Sequence, residues 1–205
     1  PDRSKIANEL GLRSEMLINL DQIHSNKIIK VEKLSNFIPS KADGMVTNRF
    51  GIGLCILTAD CAPILLSDCK SGVIGAVHAG WRGALAGITI QIIQSMIDIG
   101  AKRSQITACI GPCISQKNYE VDPDFKIMFT KNSEKNKDFF VKKGNEKFLF
   151  DLPNYLRNSL QKEKIQQVNL INICTYEEVN DFYSYRRSFH ENENCPLRNI
   201  SVIRQ

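Results

Sequence analysis

Between Gly44 and His78 the chain is a succession of short apolar runs, Gly44–Thr47, Ile52–Leu57, Ala62–Leu66 and Gly72–His78, separated by Gly, Asp and Ser. Such runs are too short for buried helices and too continuously apolar for half-solvated strands, so strands buried on both faces are expected. The period then changes. Leu85, Ile88, Ile92, Met96 and Ile99 recur at three- and four-residue steps, which predicts one helix over 83–99 with Gly100 closing it.

The remaining elements read in the same way. Ser4 is expected to cap a short helix carrying Ile6 and Leu10 and stopped by Gly11. Met16–Leu20 and Lys27–Val31 are branched-rich strands around a polar segment, which puts His24 at or near a strand end. Further strands are expected at 106–110, 139–141, 147–150, 168–173 and 200–203, with helices at 123–129 and 152–161. Strands come in runs rather than in strict alternation with helices. The expected class is therefore α+β, a mixed β-sheet core with flanking helices in a single compact domain over 1–205.

Composition limits the classes of function. Hydrophobic residues make up 42% and charged residues 24%, which excludes a disordered chain. Asp60 and Asp68 interrupt the most apolar region, so no membrane span is expected. The net charge of +5 is concentrated between Lys126 and Lys147, where lysines are mixed with Asn, Ser and Glu. That is the pattern of a solvated surface, and no nucleic-acid partner is expected. Seven cysteines, with no Cys-x-x-Cys pair, argue against a disulfide scaffold and for a reducing cytoplasm. No signal peptide opens the chain, and the first residue is Pro1 rather than Met, so part of the native N-terminus is expected to be missing.

The chemistry should lie where polar residues interrupt apolar runs. Of three histidines, His24 and His78 sit at ends of apolar segments. Asp60 and Cys61 break an apolar run, and a carboxylate buried there needs a partner. Gly80 and Gly83 flank Trp81 and Arg82 just after His78, leaving the backbone room to turn beside a ligand. His24, Cys61 and His78 are two imidazoles and a thiol, the composition of a catalytic zinc site with one position left open. Their separations match no compact finger, so residue types alone leave open a surface His24, a core Cys61 and a hydrogen-bonded His78. A cysteine hydrolase with Cys61 activated by His78 is also open, as is a regulatory module that merely holds metal.

The segments Gln22-Ile-His24-Ser, Ala42-Asp43-Gly44-Met-Val-Thr47, Thr58-Ala-Asp60-Cys61-Ala-Pro-Ile-Leu-Leu66 and Ala76-Val-His78-Ala-Gly-Trp-Arg-Gly83 resemble the laccase-domain family. The likeness continues through Ile110-Gly-Pro-Cys-Ile114, Tyr119-Glu-Val121, Phe150-Asp-Leu152 and Phe182-Tyr-Ser-Tyr-Arg-Arg187, covering nearly all of the chain. The family has been described as multicopper polyphenol oxidases, and is better described as zinc-dependent purine nucleoside phosphorylases with adenosine deaminase activity. The resemblance implies zinc on His24, Cys61 and His78, with a purine nucleoside (adenosine, inosine or guanosine) and phosphate as substrates. It departs at the C-terminal end, where His190-Glu-Asn-Glu-Asn-Cys-Pro-Leu-Arg198 replaces a Gly- and Thr-rich approach to an arginine, so no role is carried to Arg198.

A multicopper oxidase needs a second copper cluster bound by many imidazoles, and only His190 remains for it. Copper would then be adventitious at the same three ligands. For phosphorolysis Arg82 is the first candidate to hold phosphate, followed by Arg186 and Arg187, expected on a strand. Asp43 is expected on the substrate side and, with Asp60, is a candidate proton carrier. Asp60 is equally expected to orient a metal-bound histidine. Trp81 and Tyr185 are candidates to stack a purine, and a homodimer is left open.

Overall fold

The computed structural model describes residues 3–32, 39–144 and 146–205. In chain order the elements are α1 (Arg3–Glu9), β1 (Leu17–Ile18), β2 (Ile28–Lys30), β3 (Gly44–Thr47), β4 (Gly53–Thr58), β5 (Ala62–Asp68), β6 (Val73–Ala79), α2 (Trp81–Leu85) and α3 (Ile88–Asp98). There follow β7 (Thr107–Ile110), β8 (Glu120–Val121), α4 (Pro123–Asn132), β9 (Phe140–Lys143), β10 (Lys147–Phe150), α5 (Leu152–Lys162), β11 (Gln167–Leu170), α6 (Tyr185–His190) and β12 (Asn199–Arg204).

Six strands form the main sheet in the order β11-β7-β5-β6-β3-β2, with parallel pairs at its two ends and antiparallel pairs between. Alternate residues of a strand face opposite sides of a sheet, and here both sides are apolar. Ile64, Leu66, Val73 and Val77 pack with Ile88, Ile92, Met96 and Leu156 from α3 and α5. Met45, Ile74 and Ala76 face the other way, onto Ile18, Leu54 and Ile56 of a three-stranded sheet ordered β1-β4-β12. The layers are therefore helices, mixed sheet and second sheet, the α+β arrangement expected from the run of strands. A third sheet, β8-β10-β9, carries Phe140 and Phe150 into an aromatic cluster with Phe125, Phe129 and Tyr155.

Three sequence expectations are corrected. The helix expected over 83–99 is two, because Gly87 adopts φ +80, a left-handed value that ends α2 and starts α3 in a new direction. The apolar period continues across the break and conceals it. Arg186 and Arg187 lie on a helix, not a strand: Ser184 accepts a hydrogen bond from the Arg187 backbone N–H and caps α6. Ser4 lies inside α1 rather than ahead of it. Among the described residues no helix is long and apolar enough to cross a membrane.

Candidate metal centre and its cavity

Strand register brings the three candidate ligands together. In the antiparallel β5/β6 pair Ala62 lies opposite Ala79 and Pro63 opposite His78, so Cys61, one residue ahead of β5, emerges beside the end of β6. Gly44 at the start of β3 pairs with Val77, and β2 runs parallel to β3 with Ile28 opposite Gly44. The loop ahead of β2, with His24, therefore reaches the same sheet end. One ligand atom from each of His24, Cys61 and His78 lies within 4.8 Å of the others. The His24 and His78 rings meet edge to face at 4.7 Å, and Cys61 Sγ is 3.9 Å from His24 Nε2.

Asp43 holds this arrangement in place. Its side chain is fully buried, and one carboxylate accepts the backbone N–H groups of Ile23 (3.2 Å), His24 (2.9 Å) and Ser25 (2.6 Å), together with the Ser25 hydroxyl (2.7 Å). His78 Nδ1 lies 2.8 Å from the same carboxylate, and the Asp43 carbonyl accepts the His78 N–H at 2.7 Å. A carboxylate on Nδ1 turns Nε2 outward, the usual support for a metal-binding imidazole. Burial opposes ionisation of Asp43, but the bonds from His78, Ser25 and His24 outweigh it and hold the carboxyl at about 2. His24 adopts φ +59, a conformation that costs a non-glycine residue free energy and persists because Asp43 clamps its loop. Asp43 therefore faces the protein and not a substrate, which corrects the expectation from sequence.

The thiol and imidazole perturb one another. Burial opposes a charged Cys61, yet bonds to His24 and His78 draw the thiol down to about 7. Burial likewise opposes a charged His78, while Asp43 and Cys61 raise the imidazole to about 9. The groups are thus predisposed to thiolate chemistry, as a soft cation requires. The fit extends to the backbone: a Cβ on Gly80 would lie 2.9 Å from His24 Cδ2 and 3.0 Å from Cys61 Sγ, so only glycine leaves both side chains where they are.

These three residues open into a cavity of about 620 Å³, also lined by Asp21, Gln22, Asp60, Trp81, Arg82, Ile114, Tyr119, Tyr185, Arg186 and Arg198. Arg82 lies 4.5 Å over the Trp81 ring, and Trp81 packs on Phe125 at 5.0 Å. Arg186 Nη1 donates to the Glu120 carbonyl at 2.9 Å, and its guanidinium lies over Tyr119. Arg187 is not brought to this cavity. It donates to the carbonyls of Thr175, Tyr176 and Phe182 and holds a loop together. Arg198 lines the cavity although its sequence context departs from the family pattern.

Asp60 orients neither histidine. In a left-handed conformation (φ +83), its carboxylate accepts the Thr175 hydroxyl at 2.7 Å and the Arg186 backbone N–H at 2.6 Å, while its carbonyl accepts the Ile114 N–H at 3.0 Å. It ties three distant segments to the residue next to Cys61. Gln22, to which residue type alone assigns no role, bonds through its amide both the N–H and the carbonyl of Leu57 on the cavity wall. Its place immediately before Ile23-His24 was the available signal.

The family model described as multi-copper polyphenol oxidoreductase laccase matches residues 1–198. The chain belongs to this family. It is 35% identical over 179 residues to a purine nucleoside phosphorylase of Rickettsia prowazekii, covering 87% of this chain and 73% of that one. It is 34% identical over 188 residues to a purine nucleoside phosphorylase of Corynebacterium glutamicum, covering 91% and 75%. Among solved structures it is similar to the Bacillus licheniformis hypothetical protein YfiH, with a TM-score of 0.88 at 25% identity over 98% of this chain and 78% of that one. A Neisseria meningitidis member gives a TM-score of 0.85 at 29% identity, covering 98% and 78%. The copper in the family's description has few ligands to draw on here, because His190, the third histidine, is bonded to Tyr176 at 3.0 Å and does not line the cavity.

Proposed function

We propose that the protein is a zinc-dependent purine nucleoside phosphorylase acting on adenosine, inosine and guanosine. The observation that carries this reading is that the His24, Cys61 and His78 ligand atoms open into one cavity lined by three arginines, Arg82, Arg186 and Arg198. Two nitrogens and a thiolate suit zinc, and one coordination position would remain open. Bound there, zinc would supply a fixed positive charge beside the anionic oxygens of phosphate. Relatives named as purine nucleoside phosphorylases support the substrate class.

The chain's own groups then have separate tasks. In phosphorolysis a phosphate oxygen forms a bond to ribose C1′, the C1′–N9 bond breaks, and the base leaves with the bonding pair and gains a proton. Arg82 and Arg186 hold the phosphate, since guanidinium forks match its oxygens. Tyr185, 61% exposed on the cavity rim, offers a ring to the purine, whereas Trp81 is occupied by Arg82 and Phe125. Deamination of adenosine at the same centre would use water in place of phosphate and needs a carboxyl free to exchange protons. Asp43 and Asp60 are committed to protein donors, which leaves exposed Asp21 on the cavity wall. Seven free cysteines suit a reducing cytoplasm.

Arg82→Ala provides the test. Replacement should remove about 2–4 kcal/mol of transition-state stabilisation from phosphate-dependent base release, the scale for one preorganised electrostatic contact. Formation of inosine from adenosine, which needs no phosphate, should be unaffected. Chromatographic separation of adenine and inosine reads both, and equal loss of the two would return Arg82 to a purely structural role.

A further inference from the structure

Tyr119 belongs to a motif that the functional reading leaves unused, and its surroundings leave one atom with work to do. The ring is fixed on several sides: Phe150 meets it at 5.7 Å and Phe125 at 6.1 Å, both edge to face, and the Arg186 guanidinium lies over it at 5.5 Å. Its backbone is also fixed, with its N–H donating to the Gln116 carbonyl and its carbonyl accepting the Phe150 N–H. Little of the ring is left to stack on a purine. The hydroxyl has no hydrogen-bonding partner among the described residues. Yet no fully buried side-chain oxygen or nitrogen among them lacks a partner. The Tyr119 hydroxyl is therefore open rather than sealed in the core, and the space beside the residue is the cavity.

We infer that the Tyr119 hydroxyl is a hydrogen-bond donor to the oxyanion of inorganic phosphate, beside Arg82 and Arg186. This rests on the phosphorolysis reading and deepens it. The choice of phosphate over nucleoside follows from the neighbours: the Arg186 guanidinium lies 5.5 Å from the Tyr119 ring centre, and Arg82 and Arg198 line the same cavity, so its cations favour an anion there. Burial keeps the phenol protonated far above neutral pH, so it is a donor throughout the working range. A rigid neutral donor among cationic side chains adds direction to a site whose charge alone would hold phosphate in many orientations.

Tyr119→Phe removes one oxygen and keeps the ring packing, so the melting temperature and metal content should match those of the parent. The KM for phosphate should rise about tenfold, the scale of one hydrogen bond to a charged group, with the KM for nucleoside within about twofold. A second readout does not need turnover: Trp81, the only tryptophan, lies in the cavity wall, so its fluorescence can follow titration with inorganic phosphate. The midpoint should shift to about tenfold higher phosphate in Tyr119→Phe. If the parent protein binds phosphate but releases no purine base, while the variant binds phosphate more weakly, the donor role stands and the nucleoside reading fails. An unchanged phosphate KM and titration midpoint would overturn the inference. So would a rise confined to the nucleoside KM, or a parent protein that neither binds phosphate nor uses it.

Discussion

Cys61→Ala is expected to reduce zinc retained through dialysis from about one equivalent per chain to below about a tenth, because two imidazoles alone make an incomplete site. Cys61→Ser should fail equally, since a hydroxyl is a far weaker zinc ligand than a thiolate at neutral pH. Cys69→Ala should keep its metal: Cys69 is exposed on the turn between β5 and β6, at the opposite end of the hairpin from the candidate ligands. Elemental analysis of protein purified without chelators reads all three variants. Alkylation of the parent protein separates zinc chemistry from a cysteine hydrolase. A nucleophilic Cys61 would be alkylated by iodoacetamide with loss of activity in metal-free protein that was active beforehand, whereas a ligand role requires activity to disappear with the metal.

Asp43→Ala is expected to be the most damaging single change in the site. It leaves the N–H groups of Ile23, His24 and Ser25, the Ser25 hydroxyl and His78 Nδ1 without the acceptor that a fully buried carboxylate supplies. Loss of one partner of a buried charged network costs about 3–5 kcal/mol, measurable by urea unfolding in the presence of a chelator. Zinc affinity should fall about 10- to 100-fold as well, because the imidazole loses its orientation. The pH dependence has a definite sign. The Asp43 carboxyl is held at about 2 against an ordinary 3.8, so its stabilisation is complete above about pH 4 and is lost as the pH falls towards 2. Asp43→Asn should flatten that part of the stability curve while keeping the side chain's size.

The strands at 44–78 could be read from their apolar runs because burial on both faces leaves a one-dimensional trace in the residues themselves. The ligand types were legible for a similar reason, since His24, Cys61 and His78 stand out at the ends of such runs. Their meeting was not, because it depends on the β5/β6 register and on the parallel placement of β2 against β3, pairings between segments far apart in sequence. The desolvation argument that marks Asp60 applies equally to Asp43, which is also buried. An aspartate between Ala42 and the apolar run from Gly44 also had to find donors, and it found them in the His24 loop. The break at Gly87 was hidden by an apolar period that both helices share, and α6 by its single turn-and-a-half of helix, too short for any period to register.

Phosphate dependence of base release tests the central claim most directly. Inosine or adenosine is incubated with the zinc-loaded protein, with and without inorganic phosphate, and the products are identified by chromatography and mass. Free hypoxanthine or adenine should accumulate together with one equivalent of ribose 1-phosphate, and only when phosphate is present. Base release at the same rate without phosphate, or no base under either condition from protein that carries its full zinc, would contradict it.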